Sequence, residues 1–205
     1  LVLCDGAFPE MITLRSMLKR MRALRDDESG SIAVETIMMV PLLSWALLST
    51  LAYFDAYRAE SISVKAGLTI ADMVSRETGF VTNPYINGTR KLLRFLTIDD
   101  NWPDLRVTVV RWQENRNRLR RVWSQERGPR RPLRNSDMAG MVDRLPALAD
   151  GERLIIVETW TDYTPLYSVG LSPFTMETFT FISPRFVTQL CYKPQDITPD
   201  DDAVC

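Results

Sequence analysis

The chain has 205 residues, a formal net charge of −1 and 45% hydrophobic residues, which suits one membrane segment followed by one globular domain. It contains no histidine, and this excludes Ser-His-Asp and Cys-His nucleophilic sites as well as every histidine-ligated metal site. Because the overall charge is close to neutral, any electrostatic attraction to nucleic acid or membrane must come from local clusters.

The N-terminal segment is a basic leader. Residues 1–14 show no clear period, and five basic residues then lie just before a long apolar run: Arg15, Lys19, Arg20, Arg22 and Arg25. The segment after the run, residues 55–60, is close to neutral. This bias predicts that the N-terminus stays in the cytoplasm and that the chain beyond the run is exported.

The apolar run itself predicts a transmembrane helix over residues 31–54. No residue from Thr36 to Phe54 carries a charge, and at about 1.5 Å per residue this run comes close to crossing a hydrocarbon core about 30 Å thick. It is too long for the apolar region of a cleavable secretory signal. Glu35 lies at its start, five residues after Gly30, and Pro41 lies inside it.

Helical periodicity continues beyond the apolar run. Apolar residues recur at steps of three and four in this segment, at Ala59, Ile62, Ala66, Ile70 and Met73. The pattern predicts that the helix extends over residues 55–79, with Gly79 as its C-terminal stop, and that one face packs on a globular domain.

Residues 80–192 predict a small α+β domain with a mainly antiparallel sheet. Four segments are typical of strands: 105–113, 118–125, 153–163 and 175–182. The first two read as a hairpin, and the apolar opening of the third favours a central position in the sheet. Turn signals predict a loop at residues 83–88. Short helices are expected at residues 91–96 and at 136–145, the latter with Ser136 as its N-cap.

The three cysteines fall on both sides of the predicted span. Cys4 precedes it, whereas Cys191 and Cys205 follow it, so only the last two can pair within the chain if they face an oxidising compartment. Such a disulfide closes a loop of about 15 residues, worth about 3 kcal/mol in the chain-entropy treatment. The alternative is two unpaired thiols near a proline- and aspartate-rich tail, residues 193–205, expected to be poorly ordered unless a disulfide holds it.

Arginines are concentrated around the predicted hairpin. The cluster combines Trp112 and Trp123 with nine arginines: Arg111, Arg116, Arg118, Arg120, Arg121, Arg127, Arg130, Arg131 and Arg134. In the cytoplasm such a cluster would suggest nucleic acid, but the predicted topology exports it, so no nucleic-acid partner is expected. A solvated hairpin face and docking to an acidic partner or to lipid phosphates are both compatible with the pattern.

Catalytic and metal-binding motifs are missing from the sequence. Several carboxylates could in principle form an acid pair or a calcium site: Asp99, Asp100, Asp104, Glu158 and Asp162. No Asp-x-Asp-x-Asp-Gly loop and no phosphate-binding glycine loop accompanies them. We therefore expect no catalytic residue, no metal and no cofactor.

The segment Gly30-Ser31-Ile32-Ala33-Val34-Glu35, with Pro41-Leu42-Leu43, resembles the TadE-like minor pilins, or pseudopilins, of the tight-adherence (Flp-type) pilus machinery. That machinery is a branch of the bacterial type IV pilus systems. Family members have a basic leader, a glycine, a small residue, Ala-Val-Glu, an apolar residue and then Leu-Pro-Leu-Leu. Thr36 departs from the aromatic residue that usually follows the glutamate. Residues 157–166 and 183–185 resemble a late strand and a terminal strand end of the family.

The resemblance implies a processing and assembly mechanism. A prepilin peptidase would cut between Gly30 and Ser31, which removes the leader (residues 1–30) and leaves the hydrophobic helix in the mature chain. Glu35 would then meet the terminal amine of a neighbouring subunit. From its position alone, Glu35 is also compatible with an interfacial carboxylate that reaches the headgroups. Pro41 either only kinks the helix or also packs against another subunit.

These observations predict a minor pilin or pseudopilin of a Flp-type pilus. It would be a single-pass protein of the bacterial inner membrane, with a cytoplasmic N-terminus and a periplasmic domain. The expected partners are the prepilin peptidase, the other minor pilins and the major pilin of the same system, the inner-membrane assembly platform and the lipid bilayer. The alternatives are an unprocessed, membrane-anchored periplasmic binding domain and a membrane-tethered enzyme, which would need a convergent carboxylate pocket.

Overall fold

The computed structural model describes Lys19 and residues 29–97, 101–195 and 202–205. In this part of the chain the helices are α1 (Ser29–Ser75) and α2 (Asn83–Thr97), with 3₁₀ helices at Glu114–Arg116 and Asn135–Arg144. The strands are β1 (Val81–Thr82), β2 (Asp104–Gln113), β3 (Arg118–Arg127), β4 (Arg153–Tyr163), β5 (Phe174–Ile182) and β6 (Tyr192–Lys193). The predicted α+β class is therefore confirmed. The chain divides into two units, Leu1–Ser49 and Thr50–Cys205.

In the first unit, the described residues are Lys19 and the opening of α1. Every side chain from Ile32 to Leu47 is exposed. Pro41 lies inside the helix, where its ring takes away the amide hydrogen that would bond to the carbonyl of Ile37.

In the second unit, α1 contributes a face of small and apolar residues to the core. The buried positions recur at steps of three and four: Ala52, Ala56, Ser63, Ala66, Gly67, Ile70, Ala71 and Val74. The predicted face was partly right, since Ala66 and Ile70 are buried, whereas Ala59, Ile62 and Met73 are only partly covered.

The predicted end of this helix at Gly79 is wrong, because α1 ends at Ser75. The amide groups of Arg76 and Glu77 bond three residues back, to Met73 and Val74, both at 3.2 Å, which is the tighter pattern often found at a helix terminus. The Glu77 carboxylate then accepts the amide hydrogen of Gly79 at 3.1 Å. Local hydrogen bonds, rather than a left-handed glycine, end the helix.

The four longer strands form one antiparallel sheet in the order β3-β2-β4-β5. The predicted β2-β3 hairpin and the central position of β4 are confirmed. Asn117, with φ of 44°, closes the hairpin in the left-handed conformation, which asparagine tolerates better than most residues. Strands β1 and β6 form a separate parallel pair.

Both faces of this sheet are covered. One face packs Val107, Val109 and Ile155 against α1 and α2 in the main core. The other packs Val110 and Ile156 against the 3₁₀ helix at Asn135–Arg144. Val109 and Val110 project to opposite faces as neighbours in a strand do, and the register irregularity beside them leaves Val122 of β3 without a partner on β2. Coverage on both faces explains why β4 opens with four consecutive apolar residues, 154–157, rather than with an alternating pattern.

The predicted loop at residues 83–88 is wrong, because these residues begin α2. Pro84 lies in the first turn, where its missing amide hydrogen costs nothing, and the Thr82 hydroxyl accepts the amide hydrogen of Tyr85 at 3.3 Å. Ile86 and Leu93 are buried in the core. Their burial outweighs the cost of about 1 kcal/mol for Gly88 inside a helix.

The predicted helix at residues 136–145 is a 3₁₀ helix, and Ser136 does not cap it. Instead, the Asp137 carboxylate accepts the amide hydrogen of Arg134 at 2.8 Å. The side chain of the third helical residue thus reaches back to the amide group of the residue before the helix, which is one half of a capping box.

The C-terminal segment contains a disulfide between Cys191 and Cys205. Val204 exchanges two backbone hydrogen bonds with Tyr192, at 2.9 and 2.8 Å, so the described end of the tail is paired with β6. Residues 196–201, which belong to the predicted poorly ordered tail, lie outside the described residues.

Candidate functional site

The exposed part of α1 carries large apolar side chains that water would not stabilise. Ile37 and Met38 are each 72% exposed, and Trp45 and Leu47 are each 61% exposed. Within the described residues, one helix is long and apolar enough to cross a membrane, and it includes this segment. A continuous apolar surface of this length is typical of a lipid or subunit contact. The helix is therefore compatible with a single-pass membrane anchor.

Glu35 lies on this exposed part of α1. No ion pair in the described part of the chain includes it. One residue further, the Thr36 hydroxyl donates to the carbonyl of Ile32 at 2.7 Å, which satisfies the polar group of Thr36 within the helix. The carboxylate of Glu35 is thus available to a partner from outside the described chain.

The backbone of Gly30 is already helical, because α1 begins at Ser29. A peptidase binds its substrate in extended form, so cutting between Gly30 and Ser31 would require the first turn of α1 to open. The first amide groups of a helix have no partner within the helix, and glycine adopts extended backbone easily, so this opening is inexpensive. The predicted leader lies outside the described residues except for Lys19 and residues 29–30.

The carboxylates considered for catalysis have other partners. Glu158 is only 1% exposed, and Arg106 donates to both of its carboxylate oxygens, at 2.6 and 2.7 Å. The guanidinium groups of Arg106 and Arg130 lie over the Trp160 ring, at 5.0 and 4.1 Å from its centre. Sequence reasoning missed Arg106, whose role depends on its cross-strand register with Glu158.

Asp104 and Asp162 are likewise engaged. Asp104 lies 3.7 Å from both Arg90 and Arg130; burial nevertheless raises the pKa of its carboxyl above the ordinary value, against the lowering effect of these two arginines. Asp162 accepts a hydrogen bond from Thr175 at 2.7 Å. Asp99 and Asp100 lie outside the described residues. Among the residues that the structure describes, no group of three acidic or cysteine side chains could hold a metal ion.

Within the arginine cluster of the hairpin, two sets differ in whether they have acidic partners. In the first set, Arg130 contacts Asp104, and Arg131 lies 2.9 Å from the Asp137 carboxylate. Hydrogen bonds from Arg131 and from the Arg134 backbone lower the pKa of Asp137 to about 2. The second set has no acidic partner among the described residues and lines a cavity with Arg153: Arg111, Arg120 and Arg121.

Sequence reasoning also missed Arg153, which lies outside the hairpin. The available signal was a basic residue immediately before the four apolar residues that open this strand.

The comparisons with known proteins are negative. No protein-family model matches this chain, and no curated protein or solved structure is significantly similar to it. The likeness to TadE-like minor pilins therefore stays a hypothesis carried by residues 30–43.

Proposed function

We propose that this chain is a minor pilin or pseudopilin that takes part in assembly of a Flp-type pilus. The observation that carries the proposal is Glu35, an exposed carboxylate at the start of an exposed apolar helix, five residues after Gly30. A helix that served only as an anchor would need neither this carboxylate nor a glycine in register with it.

The energetic argument concerns the position of Glu35. An acidic residue at mid-membrane costs about 3 kcal/mol on insertion scales, and a residue at the edge of the apolar run costs less but still gains from a positive partner. Cutting after Gly30 would create such a partner, since the amine of Ser31 becomes a terminal ammonium group. Pairing of this group with Glu35 of a neighbouring subunit would satisfy both charges and align the two helices.

The proposed topology places the first residues in the cytoplasm and the second unit in the periplasm. Two observations support it. Basic residues precede the apolar run, as the positive-inside rule requires of a cytoplasmic flank. The Cys191–Cys205 disulfide is typical of an oxidising compartment such as the bacterial periplasm. In this proposal the role of the chain is structural, and it catalyses no reaction.

A second candidate is an unprocessed, membrane-anchored periplasmic binding domain. One observation favours it, namely the cavity in the second unit that is lined by arginines without an acidic partner among the described residues. In this case α1 would act only as an anchor, and the leader would stay attached.

Intact-mass measurement and N-terminal sequencing of the full chain, purified from its native membrane, separate the two candidates. The pilin proposal predicts a mature chain that begins at Ser31. Gly30→Leu is the matched variant, because a bulky side chain at this position should block the peptidase, and its leader should be retained. A wild-type chain that keeps its leader in membranes with active prepilin peptidase would contradict the proposal.

A further inference from the structure

Three arginines lie abreast across three neighbouring strands. In the register of the sheet, Arg111 of β2 is paired with Arg120 of β3 on one side and with Arg153 of β4 on the other. Residues directly opposite in antiparallel strands project to the same face, with Cβ atoms about 4.5–5.5 Å apart. Like charges in this arrangement repel each other, so the row destabilises the isolated sheet unless a negative charge compensates it.

The same three side chains line one cavity of about 190 Å³. Its wall also includes Arg121 and the disulfide-bonded Cys205. A cavity of this size has room for several water molecules or for one small anionic group. The disulfide therefore holds the C-terminal segment against the arginines, which gives the site a fixed wall.

Two of these arginines have buried nitrogen atoms without a hydrogen-bond partner. Arg153 donates through Nη2 to Gln189 at 2.9 Å, but its Nη1 is buried and unsatisfied, as is the Nε of Arg121. Burial and the nearby charge of Arg111 lower the pKa of Arg153, as expected for cations held together without a counter-charge. An unpaired buried donor of a charged group is costly.

Acidic side chains at this end of the sheet do not neutralise the row. The Asp150 carboxylate accepts the amide hydrogen of Glu114 at 3.0 Å, and the Glu152 carboxylate accepts that of Ala149 at 2.9 Å. No ion pair in the described part of the chain contains any of the four arginines that line the cavity. A bound anionic ligand would supply the compensating charge.

Guanidinium groups match the oxygens of a phosphate group, which several of them can bind at once. The cavity lies at the start of β4. The opposite end of this strand, Tyr163, contacts Asp55, which lies just after the apolar run. The 11 residues of β4 separate these ends by about 30 Å at 3.3 Å per residue. Soluble ligands and lipid headgroups share the phosphate group; because the cavity is distant from Asp55, a soluble ligand is the source that we propose, and the test separates the two.

We propose that the row Arg120–Arg111–Arg153, closed by Arg121 and the Cys191–Cys205 disulfide, is a binding site for the phosphate group of a small soluble ligand. The site is independent of pilus assembly, because it needs only the second unit and would serve a processed pilin or an unprocessed binding domain equally. Phosphate bound there would accept hydrogen bonds from guanidinium groups that line the cavity and would reduce the repulsion along the row.

The test uses the full chain in nanodiscs of neutral phospholipid, with inorganic phosphate as the probe. We expect phosphate to raise the unfolding temperature and to give a calorimetric binding signal. Arg111→Gln should weaken phosphate binding at least about tenfold, the scale expected when one charge-assisted contact is lost. In phosphate-free buffer the same variant should unfold at the same or a higher temperature, because one repulsive neighbour is gone. A purely structural role for Arg111 would not give these opposite effects.

Arg116→Gln is the matched control, since Arg116 is exposed on the hairpin turn and does not line the cavity. It removes the same charge and should leave phosphate binding within about twofold of wild type. If Arg111→Gln does not fold, Arg120→Gln tests the same contact from the exposed edge strand. Absence of phosphate binding by the wild-type chain, or equal loss in Arg116→Gln, would overturn the proposal. Binding to added phosphatidylglycerol vesicles without binding to inorganic phosphate would overturn the assignment to a soluble ligand.

Discussion

The hydroxyl of Tyr163 donates a hydrogen bond to the carboxylate of Asp55 at 2.9 Å. Tyr163 ends β4, and Asp55 is the first charged residue after the apolar run. Ala56 and Met176 pack around the same tyrosine. The end of a central strand is thus tied to the helix at the point where the chain changes from apolar to mixed composition.

Tyr163→Phe should lower the free energy of unfolding by about 1.5–3 kcal/mol, because it removes a hydrogen bond to a charged group while keeping the ring. Urea unfolding of the full chain in detergent, followed by tryptophan fluorescence, measures the effect. Tyr167→Phe is the control, since Tyr167 is 49% exposed. Equal stability of the two variants would show that the contact with Asp55 does not stabilise the domain.

The raised pKa of Tyr85 leads to a prediction about stability and titration at alkaline pH. Burial, followed by the negative charge of Glu77, raises the pKa of Tyr85 to about 12. Because the folded pKa lies above the ordinary value of about 10, its contribution to stability is complete below pH 10 and is lost as the pH rises through 12. Tyr85→Phe should remove the most alkaline component of the tyrosinate absorbance titration, and an unchanged titration would contradict this assignment.

Phenylalanine substitutions at Tyr85 and Tyr192 compare a buried hydroxyl that has no hydrogen-bond partner with one that has a partner. The Tyr85 hydroxyl is buried without a partner, so Tyr85→Phe should not reduce stability at neutral pH. The Tyr192 hydroxyl bonds to Asn83 at 2.9 Å, and Tyr192→Phe should cost about 1 kcal/mol. The reverse order in thermal unfolding would contradict the assignment of these two hydroxyl groups.

Alanine substitutions at two helical glycines should change the stability of the protein in opposite directions. A Cβ at Gly67 would lie 2.9 Å from Cγ2 of Thr178 on β5, whereas at Gly88 it would meet no atom within 4 Å. Gly88→Ala should stabilise the protein by about 0.5–1 kcal/mol through helix propensity. Gly67→Ala should destabilise it, because overpacking typically costs about 1–3 kcal/mol and exceeds that gain. Unfolding temperatures that rise for both variants would show that α1 and β5 can separate without cost.

The buried ion pair of Arg106 and Glu158 can be compared with an exposed one. Arg106→Met leaves the Glu158 carboxylate buried without its partner and should cost about 3–5 kcal/mol. Arg76→Met removes one partner of the pair with Asp72, where the side chains are 53% and 39% exposed, and should cost at most about 1 kcal/mol. Chemical unfolding of the two variants measures this difference. Similar losses of stability would contradict the claim that burial determines the cost of breaking an ion pair.

Local patterns predicted most of the sheet but not all of the helices. The alternation and turn chemistry around Asn117 predicted the hairpin, and the apolar opening of β4 predicted its central position. Asn-Pro and Asn-Gly signals predicted a loop at residues 83–88, but burial of Ile86 and Leu93 in the tertiary core outweighed these local preferences. Such burial depends on packing partners that no local window contains.

The candidate functional residues also differ in whether a local sequence pattern can identify them. Gly30 and Glu35 form a local pattern, so the sequence alone points to them. The pairing of Arg111 with Arg153 depends on the register between strands that are distant in sequence, and periodicity cannot supply that register.

The most direct test of the account is co-assembly that depends on Glu35. Wild type, Glu35→Ala and the control Glu60→Ala, which removes an exposed glutamate further along α1, are expressed at equal levels in the native membrane. After crosslinking, the major and minor pilins recovered with each are quantified by mass spectrometry. We expect Glu60→Ala to recover these pilins as wild type does and Glu35→Ala to lose most of them. Recovery by Glu35→Ala at the wild-type level would contradict the account.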